Sequence, residues 1–335
     1  MFKFIFLFLL LGFLEVNAVV ILQYHRFGNA KYASTNTSTE LFAKQLAYLK
    51  AHHFHMMSLS DVVDALQHHK ALPRKTAVIT IDDAYISVYK NAYPLLKKYN
   101  FPSTIFVNSS PIIHHSKSFM SLIQMKEMGK NGAEFANHTH THQYLARYDD
   151  AVLDKKVTKE ILTCEHFLTK HLQPYLSKYK MLAYPFGEYD KRVIKIMKKL
   201  GYIGVAQNSA PIDENSDFMA LTRFPMANRF GGMKSFPLKV NTQTMPIQEV
   251  DIYDTMLDEK NNPPKMTITL KKPLHGVHCF TADGEPIVFT KITNTRFSIE
   301  AKKPLTYPRN HYTCTAMAKN GTWFWYSKMW VISKD

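Results

Sequence analysis

The sequence predicts an α/β protein built on a parallel sheet and followed by a small all-β module. Three observations carry this. Between Val19 and Phe224, short β-branched or apolar runs alternate with amphipathic helical stretches. One of those runs, Thr76–Asp82 (TAVITID), is almost wholly apolar and ends in an acid, as a buried parallel strand arriving at a working edge would. Past residue 264 the helical periodicity stops, and strand-like runs are separated by the turn dipeptides Asp283-Gly284 and Asn320-Gly321.

Taken in order, strands are expected at Val19–His25, Thr76–Asp82, Ser103–Asn108, Ala133–Asn137, Met181–Pro185, Tyr202–Gln207 and Leu221–Phe224. Helices are expected at Thr39–His53, with an apolar face of Phe42, Leu46 and Leu49, and at Ser60–His69, capped by Ser60. Two more fall at Asp149–Leu172 and Lys191–Leu200. Seven strands separated mainly by helices put the chemistry at the C-terminal strand ends. Residues 241–264, ending in Asn261-Asn262-Pro263-Pro264, read as a linker. Residues 265–335 read as the β module, with strands at Met266–Leu270, Pro286–Ile292, Arg296–Ala301, Tyr312–Ala318 and Thr322–Ile332.

The chain has 335 residues, 46% hydrophobic and 21% charged, which is enough for a sizeable core. Lys and Arg outnumber Asp and Glu by 42 to 27, a formal charge of +15 spread along the sequence. Collagen-like, coiled-coil and acidic-tail classes are excluded. The charge is compatible with a polyanionic partner and does not name one. Residues 1–18, with Lys3, the apolar run Phe4–Leu14 and a small-residue site at Val16-Asn17-Ala18, read as a secretory signal peptide. The run falls short of the ~20 residues of a membrane span. The mature chain, a domain over residues 19–240 with the linker and the β module behind it, is therefore expected to be periplasmic or extracellular. It is expected to have no transmembrane anchor, and export disfavours a nucleic-acid partner. Three cysteines exclude a disulfide-dense scaffold; Cys279 and Cys314 could pair, or all three could be packed thiols.

Three segments at strand ends could converge. Thr80-Ile81-Asp82-Asp83-Ala84-Tyr85 places adjacent carboxylates at a buried edge, costly unless they hold a cation or serve a reaction, although a helix-capping acid beside a solvated one would look the same. In Asn137-His138-Thr139-His140-Thr141-His142, a helical turn would bring His138 and His142 to one face and send His140 away; a His-rich surface turn is the plain alternative. An Asp with two His leaves coordination positions open, which suits a hydrolytic divalent centre. Ala183-Tyr184-Pro185-Phe186-Gly187 is a strand exit where a backbone N–H could serve as an oxyanion donor.

In this order and spacing the segments resemble the polysaccharide deacetylase family, the NodB-homology carbohydrate esterases, over about Val19 to Asn228: TIDD stands for TFDD, HTHTH fits H(S/T)xxH, and AYPFG stands for RxPYG. The resemblance implies a distorted (β/α)7 barrel of the NodB-homology type and a metal-dependent N-deacetylase acting on an N-acetylated, GlcNAc-containing glycan. It further implies Asp82 as general base, and Asp83, His138 and His142 as ligands of a divalent metal, Zn2+ first, with Co2+, Ni2+ or Fe2+ as competitors. The Phe186 N–H would serve the oxyanion, with its neighbour Tyr184 on the substrate side. Two family features are missing. No late LxxxH or DxxDW segment is visible between Gly201 and Lys239, and Ala183 replaces the usual Arg. The YH strand at the start of the chain is similar to that of the circularly permuted deacetylases acting on poly-β-1,6-N-acetylglucosamine. On that basis His25 is expected as general acid, with a structural histidine at the barrel mouth as the alternative; Arg223, at the end of the predicted strand Leu221–Phe224, could replace the missing Arg or be an ordinary surface cation. The alternative is a catalytically weak or silent glycan-binding scaffold, which the two absences favour and the Asp82, Asp83, His138 and His142 set disfavours. In the module, Trp323 and Trp325 share one strand face and Phe324 and Tyr326 the other, so one pair could stack on sugar, in keeping with attachment to the cell envelope, or both could be buried.

Overall fold

The computed structural model describes residues 18–251 and 254–333; the expected leader lies outside them except for Ala18. Eight strands form the first sheet: β1 (Val20–Tyr24), β2 (His55–Met57), β3 (Thr76–Asp82), β4 (Ser103–Val107), β5 (Ala133–Asn137), β6 (Met181–Ala183), β7 (Ile203–Val205) and β8 (Phe224–Pro225). The order is β8-β1-β3-β4-β5-β6-β7, with β2 also against β3, and every pairing is parallel. Such strands are covered on both faces, which explains their apolar composition. Ile21, Val78, Phe106 and Val205 face the inside and pack with Val62 and Val63 of helix Leu59–Gln67. Leu22, Ile79 and Ile81 face outward onto Phe42 and Leu46 of helix Thr39–Ala51. The sheet curls into a parallel half-barrel of the NodB type. Its two flanks meet through residues 221–225, where Leu221 bridges Val205 and Phe224 pairs with Leu22.

One local expectation is corrected, and one strand is not among those expected. The helix after β2 is capped by Ser58, whose hydroxyl accepts from Asp61 N–H; Ser60 lies within the helix, and its hydroxyl accepts from Lys178 N–H instead. Both serines satisfy the capping rule in sequence, and burial of Leu59 decides between them. β2 carries no sequence signal, because His-Met-Met is only three residues long and lacks alternation.

Residues 241–264 are not a bare linker. They contribute β9 (Gln243–Thr244), β10 (Ile247–Asp251) and β11 (Met256–Leu257), short strands that pair with later ones and so lack a periodicity of their own. The rest of the C-terminal region comprises β12 (Met266–Leu270), β13 (His278–Thr281), β14 (Val288–Lys291), β15 (Arg296–Glu300), β16 (Arg309–Met317) and β17 (Trp323–Ile332). Two sheets result: β9-β17-β16-β13, with β11 also on β17, and β10-β12-β15-β14. Between them lie Ile268, Phe297, Ile299, Tyr312 and Trp330. Alternation along β17 sends Phe324, Tyr326 and Trp330 into this core, while Trp325 packs edge-on against Phe224 of the half-barrel at 5.4 Å. Phe324, Trp325, Tyr326 and Trp330 are thus engaged in packing. Cys279 and Cys314 are joined across β13 and β16, and Cys164 is a buried free thiol.

The disulfide closes a loop with a sequence separation of 35, for which the chain-entropy argument gives a stabilisation of about 3–4 kcal/mol. All three tryptophans sit in β17, so intrinsic fluorescence reports on this region. Urea unfolding of a Cys279→Ala/Cys314→Ala variant followed by fluorescence should show a loss of that size; a loss below about 1 kcal/mol would contradict it.

Candidate active site

The C-terminal ends of β1, β3, β5 and β6 and Arg223, the residue just ahead of β8, converge on one buried cluster. Asp82 closes β3 and is fully buried. Arg223 grips it with both nitrogens of its fork, Nη1 to Oδ1 at 2.7 Å and Nη2 to Oδ2 at 2.9 Å. The guanidinium is itself fixed, Nε donating to Ala206 O at 2.9 Å and Nη1 to Thr80 Oγ1 at 3.2 Å. Gln23 adds a donor to Asp82 Oδ2 at 2.8 Å, and His25 Nε2 lies 3.6 Å from the same oxygen. Burial alone would favour the neutral acid, but the Arg223 charge and the imidazoles of His138 and His25 outweigh it and hold Asp82 well below the usual carboxylate range. Gln23 is a site residue that no motif marks; its signal is a polar side chain inside the otherwise apolar strand VILQY.

Asp83 and Ala84 both take left-handed backbone conformations, φ 72 and 58, which turn the chain off the end of β3. His138 and His142 do meet on one side, though not through a helical turn. Residues 138–143 form an irregular loop in which Thr139 and His142 have φ of 67 and 59, braced by Asn137 Oδ1 accepting from Thr139 N–H. His140 is directed elsewhere, its Nδ1 on Ser109 Oγ at 2.8 Å. His138 and His142 each place Nε2 at 3.5 Å from Asp83 Oδ1. The three ligand-type atoms all lie within 4.8 Å of one another.

The turn after β6 supplies the third segment. Phe186 has φ 59, and its N–H donates to no group among the described residues. Its ring stacks on Tyr144 at 3.8 Å and meets His142 edge-on at 4.5 Å. Gly187, φ 74, is required here, since a Cβ would come within 2.7 Å of Gln207 Cβ. Tyr184 is a correction: its ring is fully buried, stacked on Tyr189 with its hydroxyl on Met219 O, so it faces the core rather than a substrate.

The residues present fit a divalent cation. His138 Nδ1 donates to Ala183 O at 2.7 Å, which fixes the tautomer and leaves Nε2 as a bare lone pair, buried and without a hydrogen-bond partner. Separations of 3.5 Å are too long for hydrogen bonds and match ligand atoms each ~2.0–2.2 Å from one small ion. Burial first, and the neighbouring His142 next, press the His138 pKa down to about 4, so the ring is neutral and able to ligate near pH 7.

Removing the guanidinium should expose the cost of the buried carboxylate. Arg223→Met is expected to destabilise by about 3–5 kcal/mol in urea unfolding, and Asp82→Asn in the same chain to recover much of it; additive costs would contradict the pairing. For His138 the unfolded ring takes up a proton near pH 6.5 and the folded one only near 4. Between these values the unfolded chain binds more protons, so stability rises with pH through the window. Chelator-treated protein should therefore lose thermal stability as pH falls from about 6.5 to about 4, and His138→Asn should flatten the slope.

Comparison with known proteins agrees with this geometry. Residues 69–205 match the family profile described as Polysaccharide deacetylase. A poly-β-1,6-N-acetyl-D-glucosamine N-deacetylase of Staphylococcus epidermidis is 28% identical over 237 residues, covering 64% of this chain and 81% of that protein. Its namesake from Staphylococcus aureus strain MRSA252 is 28% identical over 207 residues, 55% of this chain and 70% of that one. Among solved structures, the Streptococcus pyogenes deacetylase PplD in complex with acetate superposes with a TM-score of 0.57 at 27% identity, covering 63% of this chain and 92% of that one. IcaB from Ammonifex degensii, at 22% identity, a TM-score of 0.54 and coverage of 66% and 94%, shares the fold. The profile match lies over β3 to β7, with the carboxylate and imidazole cluster at their ends, so residues 69–205 form a domain of the polysaccharide deacetylase type.

Proposed function

We propose that this chain is an exported, metal-dependent deacetylase that hydrolyses N-acetyl groups of a GlcNAc-containing polysaccharide, with β-1,6-linked poly-N-acetylglucosamine as the substrate class. The observation that carries it is the bare, buried Nε2 of His138 facing Asp83 and His142 beside an ionised, immobilised Asp82. Two sequence relatives bear the name of that activity. Export is supported by the Cys279–Cys314 pair, which suits an oxidising compartment. Among the described residues no helix is long and apolar enough to cross a membrane.

Asp83, His138 and His142 would hold the cation, and two imidazoles with one carboxylate suit zinc. Bound there, it supplies Lewis acidity toward the acyl oxygen and makes water more acidic. Asp82, kept ionised and aimed by Arg223 and Gln23, accepts the proton of the attacking water. The uncommitted N–H of Phe186 donates to the oxygen that gains charge as the carbonyl becomes tetrahedral. His25, 3.6 Å from Asp82 and partly open to solvent, gives a proton to the departing nitrogen as the C–N bond breaks, releasing acetate and a free amine.

The test is acetate release from β-1,6-GlcNAc oligomers by the mature chain. Chelation, Asp83→Ala or His142→Ala should abolish both bound metal and activity, and His25→Ala should lower kcat by about 10²–10⁴ with metal retained. Full acetate release by the Asp83 and His142 variants would overturn the ligand assignment, and none by the wild-type holoprotein would overturn the function.

A further inference from the structure

The turn that carries Phe186 is held from outside the half-barrel. Directly after it comes Glu188, a carboxylate with no exposed surface. Arg147, on the loop between β5 and helix Asp150–Leu172, pairs with it in a fork, Nε to Oε2 at 2.7 Å and Nη2 to Oε1 at 3.1 Å. A second cation arrives from the C-terminal region: Arg309, the first residue of β16, donates from Nη1 to Oε1 at 2.9 Å. The same guanidinium stands 5.7 Å from the centre of the Phe186 ring.

These contacts form one connected unit. Arg147 also donates to Pro308 O at 2.8 Å and to Ile332 O at 3.2 Å, which ties the loop near the site to the start of β16 and the end of β17. Met329 of β17 lies against Gly187, its Cε 3.1 Å from where a Cβ would stand. Tyr144 and His142 of the half-barrel and Arg309 of β16 thus all stand close to the Phe186 ring. A non-glycine residue at φ 59 persists only where its surroundings over-determine it.

We propose that Arg309 of the C-terminal β region is a positioning residue for the deacetylation site, fixing the Pro185–Gly187 turn through Glu188 and the Phe186 ring. This rests on the reading of Phe186 N–H as the oxyanion donor. It makes the β region part of the catalytic unit and not a detachable attachment device. Arg309 touches no reacting atom; it acts by holding an amide where charge develops.

Arg309 can be removed without stranding Glu188, because Arg147 keeps both carboxylate oxygens paired. Arg309→Met should therefore fold, keep its metal stoichiometry, and lower kcat about tenfold or more with KM within about threefold, the signature of a misplaced group. Arg309→Lys should recover kcat to within about threefold of wild type by restoring the cation. Amide hydrogen exchange over residues 184–190 should be faster in Arg309→Met and near wild type in Arg309→Lys. A folded Arg309→Met with kcat within twofold of wild type and unchanged exchange overturns the proposal. Should the Met variant not fold, Arg309→Gln replaces it, and wild-type kcat and exchange in that neutral chain overturn the proposal equally. If the wild-type holoprotein releases no acetate, the functional reading fails, while the exchange measurement still decides whether Arg309 holds the turn.

Discussion

A carboxylate sealed inside a barrel stays ionised only if its charge is compensated there, and the Asp82–Arg223 pair is that constraint here. Neither side chain is exposed, and the bidentate contact satisfies charge and direction together. Breaking such a pair leaves an uncompensated buried charge, so the two residues constrain everything around them. Arg223 can reach Asp82 only because residues 221–225 run between β7 and β1, and that same segment brings the flanks of the half-barrel together. Closure of the sheet and orientation of the acid are therefore one structural event. Gln23 on β1 then binds the oxygen that His25 also approaches, so the strand that receives Phe224 also furnishes two of the polar groups around Asp82.

Arg223 reaches the Asp82 carboxylate from a segment other than β6, at whose end Ala183 stands. Ala183 pairs with Val205, Val205 bridges Leu221, and Arg223 lies two residues further along that last segment. A guanidinium is long enough to cross the interior from there. Ala183 does not lose its place in the site, because its carbonyl accepts from His138 Nδ1 and thereby frees Nε2. Backbone at this position sets the tautomer, while charge comes from another strand.

How much of the fold and the site is legible in the sequence depends on where the signal resides. β3, β5 and β12 and helix Lys191–Leu200 fall where periodicity and apolar runs put them, because their own residues make the buried faces. The short strands β2, β9 and β11 exist only through partners distant in the chain, so no local pattern announces them. Asp83, His138 and His142 can be named from spacing, but an assumed helical turn does not convey how they meet. Asp83, Ala84, Thr139, His142 and Phe186 make up half of the ten non-glycine residues with positive φ among the described residues. Each costs ~1–2 kcal/mol, and none is a glycine that would have advertised the turn. The site is bent by tertiary support, which a linear motif does not record.

That support has to come from somewhere, and its direction matters for how the two parts of the chain relate. The half-barrel fixes Asp82 through its own closure, but the Phe186 turn sits at its rim, where one side would face solvent if the half-barrel stood alone. Glu188 under that turn is buried because Arg147, Arg309 and the ends of β16 and β17 enclose it. Trp325 meets Phe224 on the strand whose neighbour is Arg223, so the same β region also backs the closing segment. The Phe186 turn and the segment that carries Arg223 thus both rest on β16 and β17. The Cys279–Cys314 disulfide joins β16 to β13, so the strand that begins with Arg309 is covalently held to its neighbour on the side away from β17.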